Sequence, residues 1–355
     1  MKKWLSAILA IGLLTTVLAA CGGSGNGGSA NEGANGGAQQ DSAKPITIRY
    51  AFFAAEQTYP AVVAKKWAQA LEERTQGKVK VEFYFGGTLL DASNMLDGVA
   101  SQIADAGLTA LSYEPGRFPL VEISDLPFGY PNAAVASQTV SDLLTEFPEE
   151  NLKNYKVLKV FTTEPLYVQS KTPIASLEDL KGQQLRIAGA LTPLMETLGA
   201  APVGMSQAEL AQALQTGVVN GQVSERAMLK DMNFAEITKY VTNYPLGVVT
   251  LAAVMNKSVW ESLPDDVKQV IDELQKEMPK VAGEYMDEYV AEVIEWSKKE
   301  YGLQVIELSD DEKNRWKEKY APMLDQYVQR AEDKGLPGKQ YRDRLLELIA
   351  HYSNP

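Results

Sequence analysis

Cys21 and His351 are the only cysteine and the only histidine in a chain of 355 residues. A structural zinc site, a Cys-His nucleophile and a Ser-His-Asp triad therefore lack their parts. No Walker loop, no G-x-S-x-G and no H-E-x-x-H occurs either. A literal G-x-G-x-x-G at Gly23, Gly25 and Gly28 follows no strand-like segment and opens no helix, so it is an accident of composition. One residue does stand out. Arg186 sits in the middle of QLRIAG (184–189), a short apolar strand pattern, and a cation placed there needs a partner. A structural ion pair would satisfy it. So would a bound carboxylate, whose two oxygens match the planar fork of a guanidinium. Residue types alone leave both readings open.

The segment before Arg186 looks built to hold it. Ser176 with Asp179 fits a capping box for a short helical turn, and Gly182 lets the chain reverse into the strand. Gly217 and Gly221 further on read as turn and close-packing positions.

Composition bounds the rest. Hydrophobic residues make up 45% and charged residues 23%, an ordinary globular balance. The length fits one or two domains and excludes disorder, collagen and a small disulfide scaffold. With 34 Lys and Arg against 46 Asp and Glu, the net charge is −12 and nucleic-acid binding is disfavoured.

The N-terminus accounts for the cysteine. Lys2 and Lys3 supply a positive start, residues 4–19 an apolar run, and Leu18-Ala19-Ala20-Cys21 a small-residue cleavage box. The run is short for a membrane span. The box resembles the bacterial lipoprotein signal, which implies a signal peptide over 1–20 and lipidation of Cys21. Residues 22–44 carry eight glycines and no large apolar side chain, so 21–44 is expected to be a lipidated, flexible tether. A random chain of that length reaches about 25 Å.

From Pro45 onward strand-like and helix-like patterns alternate, which argues for α/β units. Residues 46–53 and 78–85 read as strands with a helix over 58–75 between them, and a further helix is expected near 91–102. Strand patterns recur at 156–163, 166–170, 184–189, 201–205 and 218–224, with helices near 192–198 and 206–216. Two sheets fit this order better than one. Pro264 then opens the longest helical pattern, with apolar residues from Val267 to Trp296 in steps of mostly three and four. Such a helix is long enough to touch two lobes, and Pro279 is expected to kink it.

Taken together, these segments resemble the DctP family, the extracytoplasmic solute receptors of TRAP transporters. The matching features are Leu180-Lys181-Gly182 before Leu185-Arg186, Leu198-Gly199-Ala200 with Pro202-Val203 and Met205, then Glu209, and Ala213 through Gln222. Residues 86–107, Leu126-Pro127-Phe128, Asn256-Lys257 and Leu263-Pro264 fit as well, so the likeness spans roughly 45–335.

The resemblance implies a two-lobed α/β fold of the periplasmic-binding-protein kind (type II-like), with the long kinked helix spanning both lobes. Lobe I would comprise 45–163 plus about 252–291, and lobe II 164–251 plus about 292–345, hinged near 163–166 and 250–254. The lobes would close on a small organic acid and deliver it to TRAP membrane permease subunits. The protein would be a monomer outside the cytoplasm, held on the membrane by its lipid, with no cofactor and no catalysis. The implied ligand contacts are Arg186, which would pair with the ligand carboxylate, together with Ser224, Phe53, Tyr113, Gln207, Thr109 and Phe128.

The chain departs from better-known members in two places. A second arginine on the strand before the capping turn is replaced by EPLYVQSKTP (164–173), and the usual G-Q-E-N-P reads Gly221-Gln222-Val223-Ser224-Glu225. One carboxylate on an apolar or aromatic body is the ligand that fits best, with Phe53 rather than Phe52 turned to the cleft and Tyr130 near it. A binding protein of an ABC importer and a secreted lipoprotein lyase are the alternatives.

Overall fold

The computed structural model describes residues 44–354, and the expected signal peptide, Cys21 and nearly all of the tether lie outside them. The chain opens with β1 (Ile46–Phe52), α1 (Tyr59–Arg74), β2 (Val79–Tyr84), α2 (Met95–Ala100), β3 (Ala106–Ala110), α3 (Pro119–Ser124), α4 (Ala133–Glu146) and β4 (Tyr155–Thr162). It continues with β5 (Tyr167–Ser170), α5 (Leu177–Leu180), β6 (Gln184–Ile187), α6 (Thr192–Leu198), β7 (Ala201–Gly204), α7 (Gln207–Thr216), β8 (Gly221–Ser224), α8 (Met228–Asp231) and β9 (Tyr240–Thr242). The last elements are β10 (Thr250–Asn256), α9 (Lys257–Ser262), α10 (Asp265–Tyr301), β11 (Gln304–Ile306), α11 (Asp310–Asp333) and α12 (Gly338–Ser353).

These strands form two sheets. The first runs β2-β1-β3-β10-β4 and the second β11-β9-β5-β8-β6-β7. In the first, β1 pairs in parallel with β2 and β3, while β10 returns antiparallel between β3 and β4. In the second, β6 lies parallel to β7 and β8. β7 is the edge strand, the position where Pro202 costs no ladder hydrogen bond.

Each sheet buries its own core. Ile48, Tyr50, Trp67, Leu108, Phe161 and Val254 pack in the first, and Val168, Leu185, Ile187, Met195, Val223 and Trp316 in the second. Helix α10 serves both halves. Val267, Ile271, Leu274, Met278 and Met286 on its first part join the first core, whereas Val293 near its end packs with Tyr167, Val241 and Leu303 beside the second sheet. Its 37 residues give about 55 Å of helix at the standard rise. The chain continues helically through Pro279, because neighbouring packing outweighs the one hydrogen bond that proline removes.

Two short segments link the sheets and lie against each other. Thr163 N–H donates to Val249 O at 3.0 Å, Leu166 N–H to Gly247 O at 2.8 Å, and Leu246 N–H to Leu166 O at 2.9 Å. The second link is therefore 243–249. Residues 250–254, where the sequence pattern places the second hinge, belong to β10: all five pair with β4, with a register irregularity between Ala253 and Val254, and 251–254 pair with β3 as well. Asp125 anchors this link: its carboxylate accepts from Thr250 Oγ1 at 2.5 Å and Thr250 N–H at 3.1 Å.

Helices α4, α11 and α12 are not singled out by spacing in the sequence. α4 buries Val135, Val140, Leu143 and Leu144 and turns Gln138, Ser141, Asp142 and Thr145 outward, and α11 carries Pro322 inside a mostly charged stretch.

Candidate functional site

Alternation along two strands builds a polar face on the second sheet. Leu185, Ile187 and Val223 enter the core, so the intervening Arg186 on β6 and the flanking Gln222 and Ser224 on β8 must point to the opposite face. Arg186 and Gln222 are direct partners in the β6–β8 ladder. Gln169 on β5 completes the face, accepting from Gln222 Nε2 at 2.9 Å and donating to Ser224 O at 2.9 Å and Glu225 O at 3.0 Å. Gly221 is required here by packing: a Cβ would stand 2.3 Å from Gln169 O. Gly217 closes α7 at φ +74°. The cap expected at Ser176 is present, its Oγ accepting from Asp179 N–H at 3.2 Å.

Arg186 is 2% exposed. Its Nε donates to Met205 O at 3.0 Å and its Nη2 to the Tyr113 hydroxyl at 3.3 Å. Among the described residues no carboxylate lies within 4.0 Å of this guanidinium. Tyr113 sits just beyond β3 of the first sheet, so the contact crosses from one sheet to the other. The same phenol oxygen accepts the Gln207 backbone N–H at 3.1 Å. Gln207 is the first residue of α7, whose start is closed by a capping box between Ser206 and Glu209. A guanidinium and a helix N-terminus thus converge on one oxygen, an arrangement that suits an anion. Burial pushes the Tyr113 hydroxyl above its usual range, and the positive charge of Arg186 partly opposes that.

Beyond Gln207 stands a second buried charge-bearing group. Gln207 Nε2 donates to Glu225 Oε1 at 2.6 Å and Ser224 Oγ to Glu225 Oε2 at 2.7 Å. Glu225 is 1% exposed. Next to it, Arg226 and Glu164 form a pair at 2.6 Å, with the guanidinium 4.0 Å over the Tyr167 ring.

A cavity of about 690 Å³ opens in front of this network, lined by Phe53, Tyr113, Pro115, Met205 and Ser206 among others, with Asp91 and Glu209 also in its wall. Phe53 meets Tyr113 edge to face at 5.3 Å, while Phe52 is fully buried in the first core. Arg186 does not line the cavity. It lies one contact behind the wall, covered by Tyr113 and Met205.

The residues expected from sequence fall into three groups. Arg186, Tyr113, Gln207 and Ser224 form one connected network, and Phe53 packs on its Tyr113. Thr109 is buried on β3 with no hydrogen-bond partner for its hydroxyl among the described residues. Phe128 is half-buried against the second core and is not in the cavity wall, and Tyr130 is buried in the first core, donating to Ser124 O at 2.9 Å. Sequence reading misses Gln169 and Glu225. The signal for Glu225 is its place directly after Ser224 at the end of β8. His351 is exposed near the end of α12.

Residues 51–331 match the family model of the bacterial extracellular solute-binding protein, family 7 (DctP). A C4-dicarboxylate-binding protein, DctB, from Bacillus subtilis is 26% identical over 310 residues, covering 85% of this chain and 86% of that one. A TRAP periplasmic solute-binding protein from Desulfovibrio salexigens, in an open complex with the C-terminus of a symmetry mate in its ligand-binding site, superimposes with a TM-score of 0.77 at 40% identity. That match covers 86% of this chain and 96% of the other. A marine metagenome TRAP solute-binding protein specific for aromatic acids, in complex with 3-hydroxybenzoate, gives 0.82 at 29% identity, covering 87% and 99%.

Proposed function

The chain belongs to bacterial extracellular solute-binding protein family 7 and is a TRAP-type receptor for small organic acids, and from that premise we propose that Arg186 is the residue that takes the ligand carboxylate. The observation that carries this is the missing partner: a guanidinium 2% exposed with no carboxylate within 4.0 Å among the described residues. An unpaired buried cation is costly, and an arriving carboxylate removes that cost while gaining a bidentate pair. A purely structural ion pair, the other way to place an arginine in an apolar strand, has no second member among the described residues.

The ligand is a monocarboxylate with an apolar or aromatic body. Phe53, Tyr113, Pro115 and Met205 supply apolar wall to the cavity, and Asp91 and Glu209 in the same wall oppose a second negative charge. The aromatic-acid specificity of the metagenome relative agrees with this. Ser224, Gln207 and Thr109 complete the proposed contact set.

Residues 45–163 with the first part of α10 act as one lobe, and 164–249 with the end of α10 and the C-terminal helices as the other. They close about the paired links at 163–166 and 243–249. The receptor, a monomer, is held outside the cell membrane by lipid on Cys21 and hands its acid to TRAP permease subunits. No described helix is long and apolar enough to cross a membrane.

Gentle purification followed by native mass spectrometry tests the reading. One organic acid per chain, lost from Arg186→Ala, is the expected result, and equal retention in both proteins contradicts it. Mass analysis of the processed N-terminus tests the anchor, where an unlipidated Cys21 would remove it.

A further inference from the structure

Resting on the reading of this cleft as an acid-binding site, we infer that the cognate ligand carries a hydrogen-bond donor in addition to its carboxylate, a hydroxyl or a protonated amine, and that Glu225 is the residue that selects for it. The buried end of the site holds two charge-bearing side chains, and neither uses all of its hydrogen-bonding capacity. Arg186 has five N–H donors and uses two of them, on Met205 O and on the Tyr113 hydroxyl. The Glu225 carboxylate can accept about four hydrogen bonds. It accepts one at each oxygen, from Gln207 Nε2 and Ser224 Oγ, both neutral groups.

Its environment singles it out among the buried acids. Glu164 is paired with Arg226, Asp125 holds the Thr250 hydroxyl and N–H, and Glu149 accepts the Leu120 and Val121 N–H groups at the start of α3. Each of these is spent on the fold. Glu225 instead shares the Arg186–Tyr113–Gln207 network, joined through Gln207, whose backbone N–H reaches Tyr113 and whose side chain reaches Glu225. No Lys or Arg lies within 4.0 Å of it among the described residues.

Charge counting then sets the ligand class. Arg186 balances one carboxylate. A simple acid would bring a second negative group into a space already holding Glu225, and the pair would share a single cation where water is excluded. A donor on the ligand turns that repulsion into a hydrogen bond, a charge-assisted one if the donor is an ammonium. Spare donors at Arg186 and spare acceptors at Glu225 therefore describe a complementary molecule, acceptor at one end and donor at the other.

Calorimetric titration with phenylacetate, mandelate and phenylglycine, which differ in one substituent, tests this. Mandelate or phenylglycine is expected to bind wild-type protein at least tenfold more tightly than phenylacetate. Which of the two wins tells hydroxyl from ammonium. Glu225→Gln should cut the advantage of an ammonium ligand to less than threefold, and Glu225→Asp, which keeps the charge, should retain its direction. Phenylacetate binding as well as the other two, an ammonium advantage unchanged in folded Glu225→Gln, or a hydroxyl advantage unchanged in folded Glu225→Ala, overturns the inference while leaving Arg186 as the carboxylate site. If none of the three binds, the acid released from the purified protein decides, and one with no O–H or N–H beyond its carboxyl overturns it. Wild-type protein that neither binds nor releases any acid removes the receptor reading itself.

Discussion

The Tyr113 hydroxyl lies 3.3 Å from Arg186 Nη2 and so ties the segment after β3 to β6 of the other sheet, beside contacts such as Tyr59 N–H to Asp231 at 2.8 Å and Tyr341 Oη to Ser124 Oγ at 3.1 Å. Its oxygen also takes the Gln207 N–H at 3.1 Å. The phenol therefore stands where the guanidinium and the start of α7 aim their donors, the place a ligand oxygen would occupy. When a carboxylate arrives the hydroxyl can turn from acceptor to donor, so it stays part of the site.

Tyr113→Phe separates these roles. A hydrogen bond to a charged group contributes about 1.5 to 3 kcal/mol, so acid affinity should fall by no more than about 10-fold to 150-fold. The edge contact with Phe53 is kept by phenylalanine. Titration of the variant with the cognate acid checks this, and a loss as large as that of Arg186→Ala would mean that Tyr113 is itself the principal ligand contact.

The pair Glu164–Arg226 is expected to matter for stability. Burial pushes the Glu164 carboxyl up and Arg226 opposes that, its backbone N–H, Nε and Nη2 making four contacts of 2.6 to 3.2 Å to the two oxygens. Glu164→Ala strands the guanidinium over Tyr167 and should cost about 3 to 5 kcal/mol. Urea unfolding measures it, and a loss below about 1 kcal/mol would place the pair with ordinary surface bridges.

Asp231 gives the fold a pH dependence. Burial raises its carboxyl to about 6, against the opposing hydrogen bonds from Tyr289 Oη at 2.5 Å and Tyr59 N–H at 2.8 Å. A raised folded value means that its contribution is complete below the free carboxyl range near about 4 and is lost as pH rises through about 6. Asp231→Asn escapes that loss. Its stability relative to wild type should therefore increase between pH 4.5 and pH 7.5, by about 2 kcal/mol. Denaturation curves at the two values check this, and an unchanged difference contradicts it.

Much of the site was legible because it obeys local periodicity. Arg186 flanked by Leu185 and Ile187 announces a strand with one face buried and a cation on the other. The long helix declares itself through the apolar spacing from Val267 onward. What stayed hidden depends on distance in the chain. Tyr113 and Arg186 are separated by 73 positions, and Gln169 and Gln222 by 53, so only the pairing of strands brings them together. Phe128 and Tyr130 show the converse: aromatic residues near the crossover look like cleft walls, yet the nearest apolar cores claim them. The hinge near 250–254 was displaced for a related reason, since an apolar run gives no sign of where pairing begins.

Titration calorimetry of wild type, Arg186→Ala and Arg186→Lys with the cognate acid, beside thermal melts of the same proteins, tests the central claim most directly. Removing the guanidinium leaves a ligand carboxylate buried and unpaired, at a cost of about 2 to 5 kcal/mol. Affinity should then fall roughly 30-fold to several thousandfold in Arg186→Ala. Arg186→Lys should recover part of this, because it keeps the charge and loses the two-donor fork. Both variants should melt close to wild type, as no carboxylate of the fold depends on Arg186 among the described residues. A folded Arg186→Ala protein that binds the acid with wild-type affinity would contradict the account.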